Sequence, residues 1–181
     1  DNDGWQDILQ VNGHVYPEVD HYNLGEPFKN PRLVYKNLGD GTFKDVSSEM
    51  GSGISEQFSS RGAAFGDYNN SGNMDALVLN LNDLPSLLRN DGGNKQNWIK
   101  IKLLGTKCNR TAIGARVRVI TGKHAQMDEV HGGTSVMSQS DLRLHFGIGK
   151  ADAVDLIEVK WPTTQKIERF TEVKENKIIT I

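Results

Sequence analysis

Nine residues, Asp67-Tyr68-Asn69-Asn70-Ser71-Gly72-Asn73-Met74-Asp75, constrain this chain more than any other stretch. Oxygen-bearing side chains stand at positions 1, 3, 5 and 9, and glycine stands at position 6. A hard cation such as calcium takes six to eight oxygens, so a short loop must turn several side chains and a carbonyl inward around a sharp bend. Asp67, Asn69, Ser71 and Asp75 are the expected side-chain ligands, and Asn73 the carbonyl donor. Position 12 is Val78, where a helix–loop–helix calcium site needs a bidentate Glu. The loop is flanked instead by strand-like runs, Gly62 to Gly66 before it and Ala76 to Asn80 after it.

The spacing recurs at the start of the chain. Asp1, Asp3, Gly4, Trp5 and Asp7 align with Asn69, Ser71, Gly72, Asn73 and Asp75, and Ile8 to Asn12 supplies the following strand. Asp1, Asp3 and Asp7 are thus the ligands expected of a first loop, with Trp5 as its carbonyl donor. Position 1 of that loop would precede Asp1, so the chain is expected to begin inside a repeat, with more repeats N-terminal to it. Leu33 to Asn37 with Gly39-Asp40-Gly41 is matched in turn by Leu87 to Asn90 with Gly92-Gly93. An internal repeat of this kind points to propeller blades or a solenoid.

These residues, with Phe65-Gly66 leading into Asp67, resemble the FG-GAP or VCBS repeat family. The resemblance implies calcium loops set between the blade strands of a β-propeller.

Charge divides the chain near Asn94. Residues 1 to 94 carry 14 acids against 6 bases, a net −8, and residues 95 to 181 carry 9 acids against 15 bases, a net +6. The expected domains are therefore a repeat region over 1–94 and a second domain over 95–181. In the second, Ile99, Ile101 and Leu103 alternate with Trp98, Lys100 and Lys102, the period of a half-buried strand. Arg116 to Ile120, Leu142 to Phe146, Leu156 to Trp161 and Lys177 to Ile181 read as strands too, and no segment keeps a helical period. The expected fold class is all-β: partial propeller blades followed by a small antiparallel sandwich or barrel.

Ordered landmarks run through that second half: Asn97-Trp98-Ile99, Asn109-Arg110 before Ala112-Ile113-Gly114-Ala115, Ser138-Gln139-Ser140, His145 to Gly149, and Val159-Lys160-Trp161-Pro162. They resemble the ASPIC/UnbV domain, although Thr163-Thr164 replaces the Ser-Gly expected after Trp-Pro. What the resemblance implies is a secreted or cell-envelope calcium-binding protein, with no catalytic residue to carry over. The expected function is a non-catalytic extracellular interaction or adhesion protein whose calcium loops stabilise the blades, with a protein or glycan partner.

Two alternatives belong to other classes. An enzyme or biosynthetic accessory acting on the propeller face would use the Gly- and Pro-rich insertion over residues 13–32, which holds His14, His21 and Tyr22. No nucleophile, base and orienting group stand at recognisable spacing, and the lone Cys108 lies in a polar loop. A carbohydrate- or matrix-binding module would use that aromatic insertion with the basic half, where Arg116, Arg118 and Arg143 form a strip if their strands are neighbours. Gly147-Ile148-Gly149 has neither a third glycine nor a following helix, so a turn is expected rather than a phosphate cradle. No nucleic-acid-binding pattern and no apolar run of membrane-spanning length is present.

Overall fold

The structure is a computed structural model that describes residues 1–22, 25–92 and 95–181. The boundary expected at residue 94 and the second glycine of Gly92-Gly93 lie outside the described residues.

In the first half, β1 (Ile8–Gln10) leads into the insertion, which carries a four-residue helix α1 (Val19–Tyr22) and ends in the two-residue strand β2 (Asn30–Pro31). β3 (Leu33–Asn37) and β4 (Phe43–Asp45) complete an antiparallel sheet of order β1-β3-β4. The stretch from Ser47 forms a 3-10 turn at Ser47–Glu49 and a one-turn helix α2 (Ser52–Ser55), then β5 (Gln57–Phe58), which pairs with β2. β6 (Ser60–Gly66), β7 (Asp75–Asn80) and β8 (Ser86–Leu88) make a second antiparallel sheet, with the nine-residue loop between β6 and β7.

The repeat is visible at the level of single hydrogen bonds. Asn37 N–H donates to Asp7 Oδ1 at 2.8 Å, and Asn90 N–H donates to Asp75 Oδ1 at 2.8 Å. In each copy the last acid of the loop captures the backbone leaving the neighbouring strand. Arg32 ties the copies together. It is buried, donates from Nη1 to Gly53 O at 2.6 Å and from Nη2 to Ser86 Oγ at 2.8 Å and Asn80 Oδ1 at 3.1 Å, and stacks over Phe58.

The second half continues with β9 (Asn97–Lys102), β10 (Arg116–Thr121), β11 (His124–Glu129), β12 (Leu144–Gly149), β13 (Ala153–Lys160), β14 (Ile167–Lys174) and β15 (Lys177–Thr180). Two sheets, of order β11-β10-β13-β14 and β12-β9-β15, enclose one core. Ile99, Ile101, Leu144 and Phe146 enter it from one sheet, and Val117, Val119, Val154, Ile157 and Val159 from the other. This is a sandwich rather than a closed barrel. Its sheets are antiparallel with one exception, because β15 runs parallel to β9.

The expected outward face of β9 is open to water at Lys102 but covered at Lys100. Lys100 is 1% exposed, because the Asp67 loop packs over the side of β9 that faces away from the sandwich core. His145, opposite Lys100 across the β9–β12 pair, is part-buried on the same side rather than exposed. Nor do the three arginines form a strip. Arg116 and Arg118 lie on β10 and pair with Glu129 and Glu158, whereas Arg143 precedes β12 in the other sheet and turns to Asp141 and the loop.

The blade edge at β6 is covered as well. Phe65 N–H donates to Ser140 Oγ at 3.1 Å, Asp141 N–H to Phe65 O at 2.8 Å, and Ala63 N–H to Ser135 Oγ at 3.3 Å. An unpaired edge is a template for aggregation, and here a segment of the second half caps it.

Candidate functional site: the loop at the junction of the two halves

The loop closes on itself through the short polar side chains that its sequence supplies. Asp67 Oδ1 accepts the Ser71 N–H and Oδ2 the Gly72 N–H, each at 2.8 Å. Asn69 Oδ1 also accepts the Ser71 N–H at 3.1 Å, and Ser71 Oγ accepts the Asn73 N–H at 3.2 Å. Such side-chain-to-backbone bonds fix a tight bend without regular structure. Gly72 takes φ +86 and has no side chain to keep the Trp98 ring away.

Asp67 and Asp75 are both buried, at 1% and 3% exposure. Their oxygens are used differently. Asp67 Oδ2 receives the Lys100 ammonium in addition to Gly72 N–H. Asp75 Oδ1 holds Asn90, but Asp75 Oδ2 has no partner among the described residues. Burial raises the Asp67 pKa, yet the hydrogen bond from Lys100 and those from the Gly72 and Ser71 N–H groups outweigh it, and the carboxyl lies below its ordinary value.

Around this centre the second half supplies a ring of contacts. Arg143 Nη1 donates to Asn70 Oδ1 at 2.7 Å and Nη2 to Asp67 O at 3.2 Å, while its Nε holds Asp141 at 2.7 Å. Trp98 stacks on His145 with ring centroids 6.0 Å apart, and the Lys100 ammonium lies 5.4 Å from the Trp98 ring. Asn2 completes the set, donating to Gly72 O at 3.0 Å and facing His145 Nε2 with Oδ1 at 2.7 Å. Since that oxygen only accepts, His145 carries its proton on Nε2 and leaves Nδ1 bare, in keeping with a buried Nδ1 that has no partner among the described residues. Burial, with Lys100 nearby, pushes the His145 pKa down to about 4.

The first loop is more open. Asp1 Oδ1 accepts the Asp3 N–H at 3.2 Å and Asp3 Oδ1 the Trp5 N–H at 2.9 Å. The Lys36 ammonium pairs with Asp1 Oδ2 and lies 3.6 Å from Asp3 Oδ2. Asp7 points instead to Asn37, and the exposed Trp5 ring packs on His124 at 4.5 Å between centroids.

The sequence-derived site residues therefore gather into two loops, and the structure adds Lys36, Lys100, Trp98, Arg143 and His145 as their neighbours. The only sequence signal for Lys100 was a lysine at an outward strand position, which by itself reads as a solvated charge. In the insertion, His14 Nδ1 accepts the Tyr16 N–H at 3.1 Å, and its ring packs on Tyr16. His21 and Tyr22 are exposed on α1.

The donor chemistry of the Asp67 loop fits a hard cation in one respect that the fold alone does not explain: a buried carboxylate oxygen on Asp75 without a hydrogen-bond donor. Among the described residues no three His, Cys, Asp or Glu side chains converge, so any ion there would draw on neutral oxygens as well.

Comparison with known proteins places both halves. Residues 1–78 match the model of the FG-GAP-like repeat, and residues 105–181 match that of ASPIC and UnbV. The chain is similar to cartilage acidic protein 1 of Mus musculus, at 23% identity over 155 residues, covering 83% of this chain and 23% of that protein. The similarity to the Homo sapiens protein is 24% over 142 residues, covering 76% and 21%, and to that of Xenopus tropicalis 29% over 125 residues, covering 66% and 19%. The chain thus spans about a fifth of the length of these curated relatives. It carries a match to the FG-GAP-like repeat followed by a match to ASPIC and UnbV, and a loop of the first half is buried against the first strand of the second.

Proposed function

We propose that this chain is part of a non-catalytic extracellular interaction or adhesion protein, in which the Asp67 loop locks the β domain onto the blades so that both display their surfaces as one body. The observation that carries this reading is the buried Asp67–Lys100 pair across the junction. A charge pair is costly to bury, and it fixes orientation because only one arrangement satisfies both ions. The similarity to cartilage acidic protein 1 supports a matrix or adhesion setting. No helix among the described residues is long and apolar enough to cross a membrane. The test is a binding panel of extracellular matrix proteins and glycans against the immobilised chain. Saturable binding to one class, lost when the junction is broken, is expected; a chain that binds none of them overturns the reading.

Calcium enters this proposal as the ion suited to the Asp67 loop, with Asp67, Asn69, Ser71 and Asp75 as side-chain ligands and the Asn73 carbonyl as a further donor. Its support is the unpartnered buried oxygen of Asp75. When bound, the ion would neutralise the loop carboxylates; the loop's own hydrogen bonds set the bend. With two carboxylates and a lysine beside them, affinity should fall at or beyond the weak extracellular range of roughly 0.1 to 1 mM. Asp75→Asn keeps the acceptor for Asn90 and removes the charge. Calorimetric titration should show weak binding in the parent and none in the variant, while melting in chelator stays level or rises. A variant that loses the same stability with and without calcium would make Asp75 an ordinary turn residue.

A further inference from the structure

Calcium loops of this design answer their carboxylates with a metal, but here both loops also hold a lysine ammonium. Lys36, on β3, pairs with Asp1 and approaches Asp3 in the first loop. Lys100, on β9, pairs with Asp67 in the second. The two lysines come from different strands at different distances along the chain, so the repeat itself does not explain the coincidence. Lys100 is the stronger case. An ammonium at 1% exposure is tolerated only beside an ionised partner, and its partner is the position 1 carboxylate of the loop. That carboxylate already accepts Ser71 and Gly72 N–H, so the ammonium completes its coordination.

We propose that Lys100 is the resident cation of the Asp67 loop: a tethered ammonium from the β domain supplies the charge that calcium would supply, and so holds the junction without metal. This rests on the reading of Asp67 to Asp75 as a cation loop. It carries a consequence for the ion. Asp67, Asp75 and Lys100 sum to a net −1, where the loop without Lys100 carries −2, so the ammonium weakens calcium binding while making it dispensable.

The experiment compares the 181-residue chain with Lys100→Met, which keeps an unbranched apolar stem beneath Trp98. Each is melted in chelator and in about 2 mM calcium, a concentration above the weak extracellular range, and each is titrated with calcium by calorimetry. The parent, with a dissociation constant at or above about 1 mM, should melt within about 2 °C in the two conditions, since calcium at that ratio adds well under about 1 kcal/mol. Lys100→Met should melt several degrees lower in chelator, recover on calcium, and bind the ion at least tenfold more tightly. Equal calcium affinity in both chains would leave the cation-loop reading standing and overturn the assignment to Lys100. Absence of binding in both would overturn the loop reading and the assignment together. A Met variant that melts like the parent in chelator overturns the assignment alone. Should the Met variant fail to fold, Lys100→Gln, with a polar end on a shorter stem, is read by the same outcomes.

Discussion

Gly72 lies so close to the indole of Trp98 that a methyl group on its Cα would overlap the ring. The loop's one required bend and the junction's largest side chain therefore meet at a single atom-sized gap. Gly72→Ala should cost both the strain of φ +86 and this overlap, on the order of 2 to 5 kcal/mol together. Gly92 has φ +85 and open space around its Cα, so Gly92→Ala isolates the backbone cost at about 1 kcal/mol. Chemical denaturation of both variants gives the packing contribution as a difference; equal losses would show that Trp98 yields freely.

His145 makes stability depend on pH in a defined window. Its pKa is held down to about 4 in the folded chain against 6.5 for the free side chain, so between these values the unfolded state binds more protons. Stability should be full above about pH 6.5 and fall as pH drops toward 4, by on the order of 3 kcal/mol in all. Asp67, whose pKa is lowered from 3.8, contributes only below that window. His145→Gln should flatten the slope between pH 6.5 and 4 in urea titrations; an unchanged slope would place the titration elsewhere.

Arg32 should matter to the blades and not to the sandwich. Arg32→Met removes the donors to Gly53 O, Ser86 and Asn80 and should cost about 3 kcal/mol, since three part-buried bonds from a charged group are lost, although Asn80 Oδ1 keeps Ser60 Oγ and Ser86 Oγ keeps Asn80 Nδ2. Hydrogen exchange should accelerate in β3 and β6 to β8 while amides of β10 and β13 keep their protection. Uniform acceleration would mean that the two halves unfold as a single unit.

The cap on β6 can be removed by Ser135→Ala with Ser140→Ala, which frees Ala63 N–H and Phe65 N–H. Each lost bond should cost about 1 kcal/mol. The larger effect should be self-association through the bared edge, seen as a concentration-dependent mass in sedimentation. A variant that stays monomeric would show that the Asp141 N–H to Phe65 O bond suffices as a cap.

The loop at Asp67, the strands beside it and the core side of β9, β10 and β13 were legible because each depends on local pattern: turn residues at fixed offsets, or apolar residues at period two. β11 and β14 were not. Their sequences, HAQMDE and IERFTEVK, are mixed because much of each strand stays in water, and only Phe170 and Val173 of β14 pack on the core. Lys100 was legible as an outward position and misleading as an exposed one. Period two reports which side chains leave the core, and nothing in it tells what covers the opposite face. The parallel pairing of β15 was hidden for the same reason, since a strand's alternation is identical whichever way its neighbour runs.

That parallel pair has a consequence for the order in which the molecule is made. β9 lies between β12 and β15, so the strand that presents Lys100 to the loop gains its last neighbour only when residues 177–180 have left the ribosome. The blades can pair their own strands long before, but the ammonium that closes on Asp67 rides on a sheet still lacking a member. Docking is thereby made a late event in biosynthesis, and a chain stalled short of β15 would offer an acidic loop to whatever cation or chaperone waits at the exit.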